Sequence, residues 1–191
     1  MERQVQTLLN ALSNTGKCER ALLADTCYRA YFSDIPCTFI TENFSHSRYH
    51  PLLCRKIKRA ILQFAPAIIH AHGQKAAMLV ATLRRHFPLI HCVVIVHGTK
   101  RNTRRNQRCL QQMDKVIAVS EGVREVLQPL QTVVVPNALP ALAGNPVSRQ
   151  TLCERWQLDS AQPILTAAGR LVALKRYDQL IAAANQAGLQ L

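Results

Sequence analysis

Five short apolar runs in this 191-residue chain end in polar residues whose types suit the handling of hydroxyls or phosphates. His70, His72 and Gly73 close the first, His97, Gly98 and Thr99 the second, and Ser120 with Glu121 the third. Asn137 closes the fourth, and Gly169 with Arg170 closes the fifth, shortly before Lys175. An imidazole at a strand end hydrogen-bonds a hydroxyl or phosphate without carrying a fixed charge. A serine before a helix caps it, and the helix N-terminus offers backbone N–H groups to phosphate. Arg and Lys at a loop offer positive charge and N–H donors to an anion. Each position also has a plainer role: a strand-end histidine satisfied by backbone, a capping serine, a solvated Arg and Lys. In open parallel sheets ligands bind outside the carboxyl ends of the strands, and that places these residues first.

Of the two histidines before Gly73, His72 lies nearer the strand end and is the cleft-side candidate. A strand continuing through both is read as sending His70 and His72 to opposite faces. A metal pair at this spacing would need a third ligand, and none is identifiable in the sequence.

The elements that must position these residues follow from apolar periodicity. Val5, Leu8, Leu9 and Leu12 predict an opening helix that stops at Gly16. Strands are predicted at 21–24, 35–40, 67–70, 90–97, 115–119, 132–135 and 164–168, although Pro36 argues against a central place for the second. Residues 41–50 read as loop. Helices are predicted at 51–64, 74–86, within 100–113, and at 121–127, 148–157 and 177–187. In the 51–64 helix, Leu53, Ile57, Ala60, Ile61 and Phe64 share one face, opposite Arg55 and Arg59. Strand and helix alternate with short connections, so the fold class is α/β with a Rossmann-like parallel sheet. Residues 1–138 form the first domain, 139–147 a linker with Pro140, Gly144 and Pro146, and 148–191 the start of a second Rossmann-like domain.

Bulk properties narrow the class. Apolar runs are far too short to span a bilayer and no secretory signal opens the chain, which predicts a cytosolic or peripheral protein. Seven scattered cysteines without a CxxC pair predict reduced, mostly buried thiols. The net charge of +13 concentrates in Arg55/Lys56/Lys58/Arg59, Arg84/Arg85 and Lys100/Arg101/Arg104/Arg105/Arg108. The partner it implies is anionic: a lipid headgroup, a phosphorylated or lipopolysaccharide acceptor, or nucleic acid. Nucleic acid is disfavoured, because the basic segments carry no interleaved aromatics for base stacking.

Five segments in order carry a family resemblance: Ile-Ile-His-Ala-His-Gly (68–73), Val-Ile-Val-His-Gly-Thr (94–99), Val-Ile-Ala-Val-Ser-Glu-Gly-Val (116–123), Val-Val-Pro-Asn (134–137) and Gly-Arg-Leu-Val-Ala-Leu-Lys-Arg-Tyr-Asp-Gln-Leu-Ile (169–181). Together with the opening Met-Glu-Arg-Gln-Val they resemble glycosyltransferase family four. The resemblance implies a GT-B fold, two Rossmann-like domains with the active site in the cleft. It implies transfer of a sugar from a nucleotide donor with retained anomeric configuration, the nucleotide-sugar being a substrate, with no cofactor and no metal expected. By the same resemblance Arg170 and Lys175 bind the donor diphosphate, and His97 is the catalytic candidate near the transferred sugar or acceptor. Gly98, Ser120, Glu121 and His72 line the cleft. Ala138 replaces the glycine of the family's Pro-Asn-Gly turn, which makes Asn137 structural, and Arg176 stands where glycine often follows the lysine.

The resemblance further places a strand and glycine-containing loop before Met1, and an acidic motif contacting donor sugar and ribose beyond Leu191. The chain is therefore expected to be truncated at both ends, marginal in solution and poor at transfer by itself. The acceptor expected is lipopolysaccharide or a lipid-linked glycan at the cytoplasmic face of an inner membrane. The alternatives are a non-catalytic remnant or split subunit of such an enzyme and, less favoured, a basic nucleic-acid-binding protein.

Overall fold

The computed structural model describes residues 2–16, 18–42, 44, 50–98, 103–128, 130–138 and 146–190. Thr99 of the predicted strand end, residues 100–102 of the predicted basic segment and 139–145 of the predicted linker lie outside the described residues. The chain divides into two compact units, Met1–Pro140 and Ala141–Leu191.

Unit 1 opens with helix α1 (Glu2–Thr15), which buries Val5 and Leu9. Gly16, at φ +61, takes the left-handed conformation that ends it. Strands β1 (Ala21–Asp25) and β2 (Thr38–Glu42) pair in parallel as a two-stranded sheet. The predicted strand at 35–40 thus shifts past Pro36. Proline has no N–H for a ladder, and the chain there turns so that Ile35 enters the core beside Phe32.

The main sheet runs β3 (Ile68–His72), β4 (His91–Val96), β5 (Lys115–Ala118) and β6 (Thr132–Val134), in that order and all parallel. Helices α3 (Gln74–Leu83), α4 (Arg104–Leu110) and α5 (Glu121–Val126) form the successive crossovers. The fold is α/β with parallel sheets, as the alternation of elements requires. Its core gathers Ile57, Ala77, Val94, Val96, Leu110, Ala118 and Leu127, all essentially inaccessible to water. Burial on both faces explains why β4 reads as a continuous apolar run.

Helix α2 (Pro51–Phe64) matches its predicted bounds. Pro51 sits where its missing N–H costs nothing, Leu53 and Ile57 supply the buried stripe, and Ala65 closes the helix at φ 48 before Pro66.

Unit 2 holds helices α6 (Arg149–Trp156) and α7 (Tyr177–Gln186). The predicted strand 164–168 does not form. Ile164 makes a single parallel bridge to Gln190, with Leu165 N–H donating to the Gln190 carbonyl at 3.0 Å. A strand exists only where a neighbour accepts its ladder, and one bridge does not provide one.

None of the seven cysteines joins a disulfide, but only Cys92 and Cys153 are buried. Cys18 and Cys27 flank β1 in exposed connections, which corrects the expectation of mostly buried thiols.

Candidate functional site

The register of the main sheet sets the site. His72 pairs with Ile95, and His70 with Val93, so both histidines share a face with Ile95 and, two residues on, with His97. The rings line up accordingly. The centroids of His70 and His72 lie 4.5 Å apart, and those of His72 and His97 lie 6.0 Å apart in a stacked arrangement. The expectation that His70 and His72 face opposite sides is therefore wrong. Side chains alternate with a period of two, and residues two apart share a face.

Burial favours the neutral form of each ring in this row. It pushes the His72 imidazole down to about 4, helped by His70 and His97, and lowers His70 and His97 as well. A buried imidazole loses the hydration that its charged form needs. His72 Nδ1 and His97 Nε2 are buried without a hydrogen-bond partner among the described residues. Among those residues no group of three or more His, Cys, Asp or Glu is arranged to hold a metal ion.

Gly73 makes the sharp turn from β3 into α3. Its φ of 83 and ψ of 163 lie in a region open essentially to glycine alone. Its N–H donates to the Ile95 carbonyl at 2.8 Å, locking the strand end to β4. Gly98 follows His97 with open space where a Cβ would stand.

Ser120 caps α5, its Oγ accepting from the Val123 N–H at 3.3 Å. Glu121 is exposed and ion-paired with Arg124 at 2.6 Å. Asn137 and Ala138 are exposed beyond β6.

In unit 2, Arg170 and Lys175 are both exposed, on the segment that leads through a short 3-10 turn at Ala173–Lys175 into α7. Gly169 begins that segment, and a Cβ there would stand 2.6 Å from Tyr177 Oη and 3.8 Å from Lys175 Cε. Glycine thus permits Tyr177 to close over the loop. Arg176 adopts φ 54 and ψ 39, the left-handed conformation that glycine takes without strain. Two features escaped the sequence reading: the contact of Tyr177 with Gly169, and Gln74 at the start of α3.

Parallel strands with crossover helices define a Rossmann-like α/β domain, and in such sheets the carboxyl ends of the strands are where ligands bind. The model of Glycosyltransferase Family 4 matches residues 1–141, and the chain belongs to that family. That membership supports a glycosyltransferase-like role, in general terms with a nucleotide-sugar donor and an acceptor. No curated protein matches the chain.

Proposed function

We propose that the chain serves the transfer of a sugar, with retention of configuration, from a nucleotide-sugar to an anionic lipopolysaccharide or lipid-linked acceptor at the cytoplasmic face of a membrane. The observation that carries this reading is the row of neighbouring imidazoles ending in His97, set at the carboxyl edge of a family-four domain. His97 supplies a hydrogen bond to a sugar hydroxyl, and Arg170 and Lys175 supply charge to the departing diphosphate. Ser120, Glu121, Gly98 and His72 complete the polar lining of the reading, and no step in it calls for a metal or cofactor.

The basic surface supports the anionic acceptor. Leu52, Arg55, Lys56, Arg59, Leu62 and Gln63 share the exposed face of α2, and a shallow groove there is lined by Arg55, Lys58, Arg59, Leu62 and Gln63. Cations flanking exposed leucines suit a helix lying on an anionic bilayer. Among the described residues no helix is long and apolar enough to cross one.

Calorimetric titration with UDP, GDP and their hexose conjugates tests the reading. Binding that drops on Arg170→Ala or Lys175→Ala supports it. Where catalysis is measurable, either change is expected to lower the rate about 10²- to 10³-fold. A folded chain that binds no nucleotide but binds nucleic acid with a steep salt dependence overturns it.

A further inference from the structure

Gln74 is the first residue of α3, immediately after the Gly73 turn that ends β3. Its amide is held at one end only. Asn106, buried on α4 at 6% exposure, donates from Nδ2 to Gln74 Oε1 at a long 3.5 Å. That bond orients the amide with Oε1 as the acceptor towards Asn106, and leaves Nε2 as the remaining donor. Gln74 Nε2 is buried and has no partner among the described residues. His72 Nδ1, two residues earlier in the chain, and His97 Nε2, on the neighbouring strand's end, are in the same condition.

A buried polar atom left unpaired is costly, and such atoms in native proteins have an explanation in strain, solvent or a ligand. Here three occur within three residues of the ends of two adjacent strands, where parallel sheets bind ligands. Their chemistry selects the ligand. An amide NH₂ only donates, whereas a neutral imidazole nitrogen donates or accepts according to tautomer. A phosphate or carboxylate only accepts, so it leaves any accepting imidazole nitrogen unpaired. A hydroxyl does both and satisfies either tautomer.

We propose that Gln74, with His72 and His97, forms a subsite for the hydroxyl groups of a sugar ring, and that the Gln74 amide determines which ring is accepted. The proposal rests on the glycosyltransferase reading and deepens it. The sugar belongs either to the donor or to the acceptor, and both present the same hydroxyls. Gln74 acts by donating to a hydroxyl oxygen of the sugar, His72 and His97 by completing that hydroxyl's remaining bonds.

Side-chain amide NMR of the ¹⁵N-labelled chain tests it, with the Gln74 NH₂ pair assigned by its disappearance in Gln74→Glu. The probes are methyl glycosides of glucose, galactose, mannose and N-acetylglucosamine, and UDP and GDP with and without their hexoses. A Gln74 shift with methyl glycosides assigns the subsite to the acceptor. A shift with a nucleotide-sugar, absent with the bare nucleotide, assigns it to the donor. Gln74→Glu keeps the oxygen that Asn106 reaches but turns the remaining donor into an acceptor. It is expected to lower affinity for the responding probe about tenfold while leaving the unfolding midpoint in place. Gln74→Met, which removes both polar ends, serves if the glutamate disturbs folding. An amide pair that answers none of the probes, its bonds satisfied by water alone, overturns the proposal, as does affinity unchanged in both variants. Nucleotide binding that depends on Lys175 alongside a silent Gln74 sinks this inference alone. Methyl glycoside binding at Gln74 without any nucleotide binding sinks the glycosyltransferase reading and leaves the subsite standing.

Discussion

The imidazoles of His70 and His72 are tilted by 33° with centroids 4.5 Å apart, so a positive charge on His70 stands close to the His72 ring. Folding therefore opposes protonation here. Burial holds His72 down to about 4, while an unfolded histidine titrates near 6.5. Between those values the unfolded chain binds more protons than the folded one, so stability rises with pH across this window and is lost as pH falls through it. The loss expected from His72 between pH 7 and pH 5 is on the order of 1–2 kcal/mol. His70 and His97, also lowered by burial, act in the same direction. Denaturant titrations at the two pH values check this, and His72→Gln is expected to flatten the dependence.

At the opposite end of the same sheet, Asp114 ties β4 to β5. Its carboxylate accepts from the Cys92 N–H at 2.6 Å and from Arg84 Nη2 at 2.9 Å, while Arg84 Nη1 reaches the Ile90 carbonyl at 2.6 Å. The Cys92 N–H and the Arg84 guanidinium hold the Asp114 carboxyl below its usual range. Its contribution is present above the ordinary carboxylate pKa and is lost as pH falls below about 4. Asp114→Ala leaves a strand N–H and a guanidinium without their acceptor and is expected to cost about 1–2 kcal/mol. Asp114→Asn, which keeps one acceptor, costs less and removes this part of the acid sensitivity. Chemical unfolding of both variants at pH 7 and pH 3 measures the difference.

Elements were legible where one physical signal dominates. The i, i+4 pair Leu53 and Ile57 with Pro51 gave α2 its bounds, and the β-branched run 93–96 gave β4. Ile164 to Ala168 carries the same kind of apolar run, yet a strand depends on a partner elsewhere in the chain, which local composition does not encode. The histidine row was half legible: its residues stood out, but their common face follows from strand alternation and from the His72–Ile95 register. Gln74 was hidden for another reason. A glutamine in the first turn of a helix is ordinarily solvated, and only the packing of α4 against α3 buries it.

In unit 2 the tightest constraint is between Gly169 and Tyr177. A methyl group at residue 169 would meet Tyr177 Oη at 2.6 Å, but Cζ only at 3.7 Å, an ordinary contact. The hydroxyl is therefore the whole clash. Gly169→Ala is expected to displace the Tyr177 ring and the loop carrying Arg170 and Lys175, costing about 0.5–1 kcal/mol because the clashing atom is the far end of a side chain. Adding Tyr177→Phe removes the clashing atom and should restore most of that loss. A double-mutant cycle on UDP affinity and on the melting midpoint reads the coupling, expected at about 0.5–1 kcal/mol.

The exposed face of α2 makes a prediction that separates surface charge from surface solubility. Lys56 reaches Glu42 at 3.5 Å, while Arg55 and Arg59 stand on the same face between Leu52 and Leu62. A basic residue near an anionic bilayer contributes about 1 kcal/mol. Each of Arg55→Ala and Arg59→Ala is then expected to weaken binding to phosphatidylglycerol vesicles about fivefold. Leu52→Ser with Leu62→Ser should weaken it further, because leucines flanked by cations insert at the headgroup boundary. Cosedimentation at low and at physiological salt checks both. The arginine effect should shrink as salt screens the charges, whereas the leucine effect should persist. Vesicle binding that ignores all four changes would move the contact away from α2, and a leucine effect without an arginine effect would identify an apolar partner in place of an anionic surface.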